Sequence, residues 1–450
     1  MQAIFTKLIS VITSILLLLG LPIGSFGGGD GNVTGDMTVR FVNDVPGSMA
    51  GSVKVEASVD GEYNIFWGNG EGEKLTAEVN GNTVTYSEFA TVEVTFGKGE
   101  LEFNDFLAIP ENAETMLLAK GDKILETETV PESKRLSYGE VKYSFGALSD
   151  VHFNRYGKLS DDDAEVSFPR ALNTFKDWGV SVVGISGDLS VNGEKSSYEK
   201  YNRIVSQFDF PVYSCKGNHD CRKDYTFENW KNNVNKDIYS VERPAGVLDI
   251  AANGLDFVYE VNGDIFVFFS QISNIYAVGK ELVTPAQLDW LEKQFETYKD
   301  RNVYMFFHTF LASDEFPPNL CEGNIINPLG ATYTLNYVKG NRDEKRMRGL
   351  LEKYKNVVFF NGHSHWSYAM QKYNINLNIT DYDGRYATMV HVGSVGAPRT
   401  VTDTSLVQKS NPGYMSEGLF VTVYDSMIYI RAVDFVGGKL LAYATYIVER

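Results

Sequence analysis

Cysteine is nearly missing from this chain: Cys215, Cys221 and Cys321 are the only three in 450 residues. So low a count excludes a scaffold built on disulfides. Cys215 and Cys221 bracket Lys-Gly-Asn-His-Asp and could pair in an exported chain; buried or free thiols are the plainer alternative. Basic residues are the minority charge, 41 against 58 acidic, for a formal net charge of −17. Such a surface repels nucleic-acid backbones at long range, and no nucleic-acid groove is evident; its bland reading is solubility. Internal repeats and low-complexity blocks are also missing beyond the Gly-, Asn- and Asp-rich stretch from Gly27 to Asp36. With 43% hydrophobic and 13% aromatic residues, widespread disorder is excluded and a packed core is expected.

Long apolar runs are absent beyond the N-terminus. There, Lys7 precedes a mostly apolar stretch from Leu8 to Leu21, followed by Pro22-Ile23-Gly24-Ser25-Phe26-Gly27. A basic start, an apolar middle and small residues near a cut are the order of a secretory signal. The run is shorter than the roughly 20 residues a spanning helix needs. An uncleaved anchor is the alternative, and no cysteine follows the run to carry a lipid. The expectation is a signal peptide over 1–27, a flexible leader over 28–36, a secreted or cell-surface protein, and no transmembrane span after signal removal.

From Met37 to Leu125 the chain reads as strands between turn signals. Ser52–Ala57 and Ala90–Phe96 alternate polar and apolar residues, and Asn80-Gly81 is a hairpin signal. This predicts an all-β sandwich over 37–125, of immunoglobulin-like or fibronectin type III-like size. Residues 126–140 are polar and read as a linker. Beyond it, strands alternate with helices. Val141–Leu148 reads as a strand, Phe168, Ala171, Leu172, Phe175 and Trp178 follow helical spacing, and Thr284-Pro285-Ala286-Gln287 starts a helix. The second unit, 141–450, is therefore α/β.

Histidine is sparse as well, six in all, and five of the six lie just past a predicted strand. They are His152 in Ser-Asp-Val-His, His219 in Gly-Asn-His-Asp, His308 in Phe-Phe-His, and His363 and His365 in Gly-His-Ser-His. Asp188 follows Gly187 at another strand end. In α/β folds that edge collects ligands. Imidazole binds mid-row divalent metals, a carboxylate can bridge two cations, and Asn218 offers a neutral oxygen. In an extended Asp150-Val151-His152, the i and i+2 side chains would share a face. His363 and His365 have the same spacing. Mixed N and O donors without thiolate suit Mn, Fe or Zn.

The ordered set resembles the calcineurin-like metallophosphoesterase superfamily, from about Val141 to the C-terminus. The resemblance implies a four-layer α-β-β-α sandwich with two divalent metal ions. It gives Asp150, His152 and His365 to the first, Asn218, His308 and His363 to the second, and makes Asp188 the bridge. It implies hydrolysis of a small-molecule or peptide-borne phosphate ester by in-line attack of a bridging hydroxide. His219, beside a ligand but not needed as one, is assigned as general acid, with Asp220 orienting and charging it. Purple acid phosphatases also join a β-sandwich to this fold, and Tyr63–Asn69 is weakly similar to theirs. Their ferric site needs a tyrosine where this chain has Val191 and a glycine where it has His152, so a purple site is not expected.

Monoester against diester is not readable, and a phosphodiesterase acting on cyclic nucleotides or other diesters stays open. So does a cell-surface binding protein with a vestigial metal site. The oligomeric state is equally open. His391 reads as structural and Asn192 as either a turn residue or a neighbour of the site. Asp161–Asp163 reads as a solvated helix start. Arg155 and Tyr156 could meet substrate, and the loop from Asp314 to Leu329 could shape specificity.

Overall fold

The computed structural model describes residues 33–42, 45–154, 164–274, 280–311, 320–321, 324–325, 342–371, 379–380, 385–401, 408–410 and 415–450. The expected signal peptide, Arg155, Tyr156, Asp161–Asp163 and most of the 314–329 loop lie outside these residues.

The front unit is two facing antiparallel sheets. One holds Gly35–Phe41, Ser48–Ala57 and Lys98–Ala108; the other holds Ala90–Val94, Gly61–Gly68, Thr115–Lys120 and Lys123–Thr129. Alternation sends Val53, Val55, Tyr63, Ile65, Trp67, Val92 and Met116 inward to one core. The Asn80-Gly81 signal is realised, with φ of 49° and 76° between paired Val79 and Asn82. Phe96 departs from its expected strand. It sits in a left-handed turn, 89% exposed, where Asp60 accepts from the amides of Phe96 and Gly97. The Lys123–Thr129 strand also runs into the segment read as linker. It is an edge strand, and a polar edge is the usual guard against further pairing.

The rear unit stacks two sheets. In the first, Val141–Leu148, Val183–Ile185 and Val212–Ser214 are parallel, and Glu417–Tyr424, Met427–Asp434 and Lys439–Glu449 continue antiparallel. In the second, Asp264–Phe268, Val303–Phe306, Val357–Asn361 and Thr388–His391 are parallel. Phe145, Tyr213, Phe266, Phe306, Phe360 and Val421 fill the space between the sheets. Each buried ring of this kind is worth about 1.5–3 kcal/mol of burial.

Helices cover both outer faces. Phe168, Leu172 and Phe175 of Ala164–Asp177 pack on the first sheet, with Tyr198 and Ile204 of Lys195–Val205. Leu288, Leu291 and Phe295 of Pro285–Thr297 and Leu350 and Leu351 of Arg342–Lys353 pack on the second. Thr284 forms the expected capping box with Gln287. The result is the anticipated α-β-β-α layering. Among the described residues no helix is long and apolar enough to cross a membrane.

The front unit is docked, not tethered. Ser87 N donates to Leu440 O (2.8 Å), and Ala442 N donates back to Ser87 Oγ (3.1 Å). Asn80 and Asn82 amides donate to Asp177 O, using a carbonyl the end of the Ala164–Asp177 helix would otherwise leave unpaired.

Candidate metal centre

The C-terminal ends of the parallel strands meet at the seam of the two sheets. Asp150, Asp188 and Asn218 follow strands of the first sheet; His308 and His363 follow strands of the second. The expected extended geometry of Asp150-Val151-His152 is corrected here. Asp150 and His152 have φ of 52° and 53°, and Asp188, His363 and His365 have 57°, 73° and 63°. The paired donors converge because the backbone turns left-handed, while Val151 is buried in the core. Such conformations cost side-chain-bearing residues about 1–3 kcal/mol each, and their concentration at one spot points to function. The turns also need close approach. A Cβ on Gly362 would fall 1.8 Å from Ser149 Oγ, and one on Gly217 would fall 2.1 Å from Asp188 Oδ1.

The donors form two groups that share Asp188: Asp150, His152, Asp188 and His365, and Asp188, His308 and His363. All six are buried. Asp150 Oδ1 lies 2.9 Å from His365 Nε2 and 3.5 Å from His152 Nε2; Asp188 Oδ2 lies 3.6 Å from His152 Nε2 and 3.1 Å from His308 Nε2. Asn218 Oδ1 is 3.0 Å from His308 Nε2, and His363 Nδ1 is 3.1 Å from the same nitrogen. With metal–nitrogen bonds of about 2.1 Å, neighbouring ligands stand roughly 3.0–3.4 Å apart. The observed spacings straddle that edge length.

Outer contacts fix which atom of each side chain faces inward. His308 Nδ1 donates to Ser186 O (2.7 Å) and His365 Nδ1 to Ala397 O (2.9 Å), which leaves each Nε2 for the centre. Asp150 Oδ2 accepts from Ser149 Oγ and His363 N, and Asp188 Oδ1 accepts from His219 N. Their other oxygens, Asp150 Oδ1 and Asp188 Oδ2, are buried without a hydrogen bond. Buried carboxylate oxygens that face imidazole nitrogens in this way fit a divalent cation.

The electrostatics agree. Burial opposes ionisation of Asp150, but His365 and His308 hold its carboxyl well below the usual range. Asp188 is held low against burial by His308 and His219. Burial lowers His152 to about 4 and, with help from His308, His363 to about 3. His308 goes the other way. Burial would lower it, but Asp188 and Asp150 carry it up to about 9. The buried negative charge thus draws a proton onto the nearest base, in the place where cations belong.

His219 stands beside the cluster, half-buried, its ring 4.6 Å from that of His152. Its Nδ1 donates to Val191 O (2.9 Å), and its Nε2 accepts from Arg222 Nη2 (3.0 Å). Burial lowers it to about 4, with Asp188 opposing and His152 and Arg222 adding. The expected partnership with Asp220 is not formed. The Asp220 carboxylate turns away, accepting from Leu189 N, Ser190 N, Ser190 Oγ and Gly217 N. It ties the Asp188 loop to the Asn218 loop, and burial with Asp188 pushes it up to about 6.

Arg222 escaped the sequence reading, although a basic residue three past His219 was a visible signal. The carbonyls of Ser186, Val191 and Ala397 carry no side-chain signal. Asn192 bonds to Glu194 as a turn residue. His391 is buried and donates from Nε2 to Trp366 O, beside His365. Cys215 and Cys221 are free thiols.

The layered fold and the buried donor set define a metal-dependent phosphoesterase. A family model described as calcineurin-like phosphoesterase matches residues 143–367, half of the chain, and the chain belongs to that family. A probable cyclic nucleotide phosphodiesterase of Fibrobacter succinogenes is 26% identical over 230 residues, covering 50% of this chain and 74% of that protein. A probable glycerophosphodiester phosphodiesterase of Arcobacter nitrofigilis is 24% identical over 173 residues; the match covers 36% of this chain and 55% of that protein, about half its length. Among solved structures, a purple acid phosphatase from yellow lupin (Lupinus luteus) seeds aligns over 93% of this chain and 74% of its own, with 12% identity and a TM-score of 0.44.

Proposed function

We propose that this protein hydrolyses phosphodiesters at a dinuclear metal centre. The observation that carries the reading is the sealed donor set with its two orphaned carboxylate oxygens. Asp150, His152 and His365 would hold one cation, Asn218, His308 and His363 the other, with Asp188 between them. Bound there, two divalent cations supply Lewis acidity and an activated water.

The chain's own groups do the rest. Asp220 holds the Asp188 and Asn218 loops in register. Arg222 carries a fixed positive charge onto the His219 ring, where a phosphate oxygen would compete for it. Once Arg222 turns to the phosphate, His219 Nε2 is free, and the phosphate's negative charge favours its protonated form. His219 then stands as the proton donor to the leaving oxygen. A single guanidinium suits the single negative charge of a diester, and both relatives above bear diesterase names.

The test is turnover of metal-loaded protein on bis(p-nitrophenyl) phosphate against p-nitrophenyl phosphate. The diester should have the higher kcat/KM; preference for the monoester overturns the diester assignment.

Export belongs to the same proposal. The Lys7 and Leu8–Leu21 pattern supports a cleaved signal. Expression with the natural N-terminus should release a chain that begins near Ser25–Gly29, read by mass.

A further inference from the structure

A cavity of about 250 Å³ lies where the front sandwich meets the Glu417–Tyr424 and Met427–Asp434 strands. That is below the roughly 300–1,000 Å³ that takes drug-sized ligands, so its occupant is small. Tyr86 from the front unit and Tyr138 from the segment joining the units face Tyr424, Tyr429 and Arg431 from the rear. Thr76, Glu78 and Asn112 form an exposed polar mouth. None of the proposed metal ligands lines it.

Arg431 decides the chemistry. It is only 5% exposed, and among the described residues it has no carboxylate partner. Its Nη2 donates to Thr422 Oγ1, while its Nε is buried without an acceptor. The guanidinium lies 4.6 Å from the ring centroids of both Phe420 and Tyr429. Cation–π contacts return part of the cost of burying it. Sealing a full charge from water costs more than those contacts return. A buried cation in a cavity wall is therefore left, among the described residues, without a carboxylate in contact with it.

We propose that this cavity binds a small carboxylate-bearing molecule, about one sugar ring in size, with its carboxylate on Arg431. A monoanion matches the single cationic side chain of the lining. Glu78 and Glu111 share the walls and oppose every anion, so the second charge of a phosphate dianion would meet repulsion with no second cation to offset it. Tyrosine faces and hydroxyls suit a ring with polar edges. Glu78 and Asn112 at the mouth suit hydroxyl groups at its far end. The ligand touches both units, so its binding also stabilises their junction.

The experiment is calorimetric titration of the full metal-loaded chain. D-galacturonate is the probe, D-galactose its uncharged match, and inorganic phosphate the competing anion. D-galacturonate should bind saturably, and D-galactose at least about tenfold more weakly. Arg431→Gln and Thr76→Trp should each weaken D-galacturonate by about tenfold or more and leave diester turnover unchanged. Thr76 is exposed at the mouth, so its variant keeps the test decisive should Arg431→Gln unfold. Asp188→Asn, which disables the metal centre, should bind D-galacturonate like the unaltered chain. The proposal is overturned by no saturable binding, by D-galactose binding equally well, or by undiminished binding to Thr76→Trp. Loss of binding in Asp188→Asn, or displacement by phosphate, would move the site to the metal centre and overturn it too.

Discussion

At the donor cluster two carboxylates are sealed from water, each with one oxygen that accepts no hydrogen bond; at the junction cavity a guanidinium is sealed with an Nε that donates none. The two regions are built differently. The cluster rests on tight left-handed turns at strand ends, and its second oxygens are pinned by Ser149, His363 and His219 backbone or hydroxyl donors. The cavity is assembled from flat strand positions and distant loops of two units. Together they teach one rule: a buried charge left without a partner inside the chain marks a place for one from outside.

The strongest way to break the comparison is to remove the shared oxygen. Asp188→Asn should lose both cations and lower diester turnover by more than about a hundredfold, beyond the 10–100-fold that losing an outer contact costs. Elemental analysis with turnover checks it. A variant holding two metals per chain would show that Asp188 is not shared.

His219→Ala asks the next question, with a somewhat smaller effect. Both metals should stay, because His219 lends the cluster only its backbone amide, to Asp188. Turnover of a diester with an alkyl leaving group should fall about 10²–10⁴-fold. With p-nitrophenolate, which departs without a proton, the fall should be far smaller. Equal losses on both substrates would remove His219 as the proton donor.

Legibility in the sequence followed the same divide. The donors were readable because each sits next in sequence to a strand end, so short motifs carry them. What their spacing could not reveal was the left-handed turn at Asp150 and His152: Asp and His enter that region more readily than most residues, but they adopt extended backbone as well, so residue type alone does not choose. Asp220 misled for a related reason. Adjacency to His219 suggested contact, but the turn points the two side chains apart and sends the carboxylate to Ser190 and Gly217. The Lys123–Thr129 strand was masked by its polar edge. The junction cavity was invisible, because Tyr86 and Arg431 are 345 positions apart in the chain and meet only through folding.

A third buried charge tests the rule with the smallest effect. Glu417 is 3% exposed and accepts from Ser367 Oγ and Tyr368 N, on the loop after His365. Burial pushes it up to about 7, against those two hydrogen bonds. With no cationic side chain paired to it among the described residues, it meets the mismatch by holding its proton to higher pH. The sign follows from a folded value above the unfolded one. Its contribution to stability is complete below about pH 4.5 and is lost as pH rises through about 7. The loss is on the order of 1–3 kcal/mol. Urea midpoints of metal-loaded protein should therefore fall between pH 5 and pH 8, and Glu417→Gln should flatten that fall. The amide keeps both contacts, its oxygen accepting from Tyr368 N and its nitrogen donating to Ser367 Oγ. An unchanged slope would mean that Glu417 stays ionised without a partner, and the reading of Arg431 as a cation in want of an anion would weaken with it.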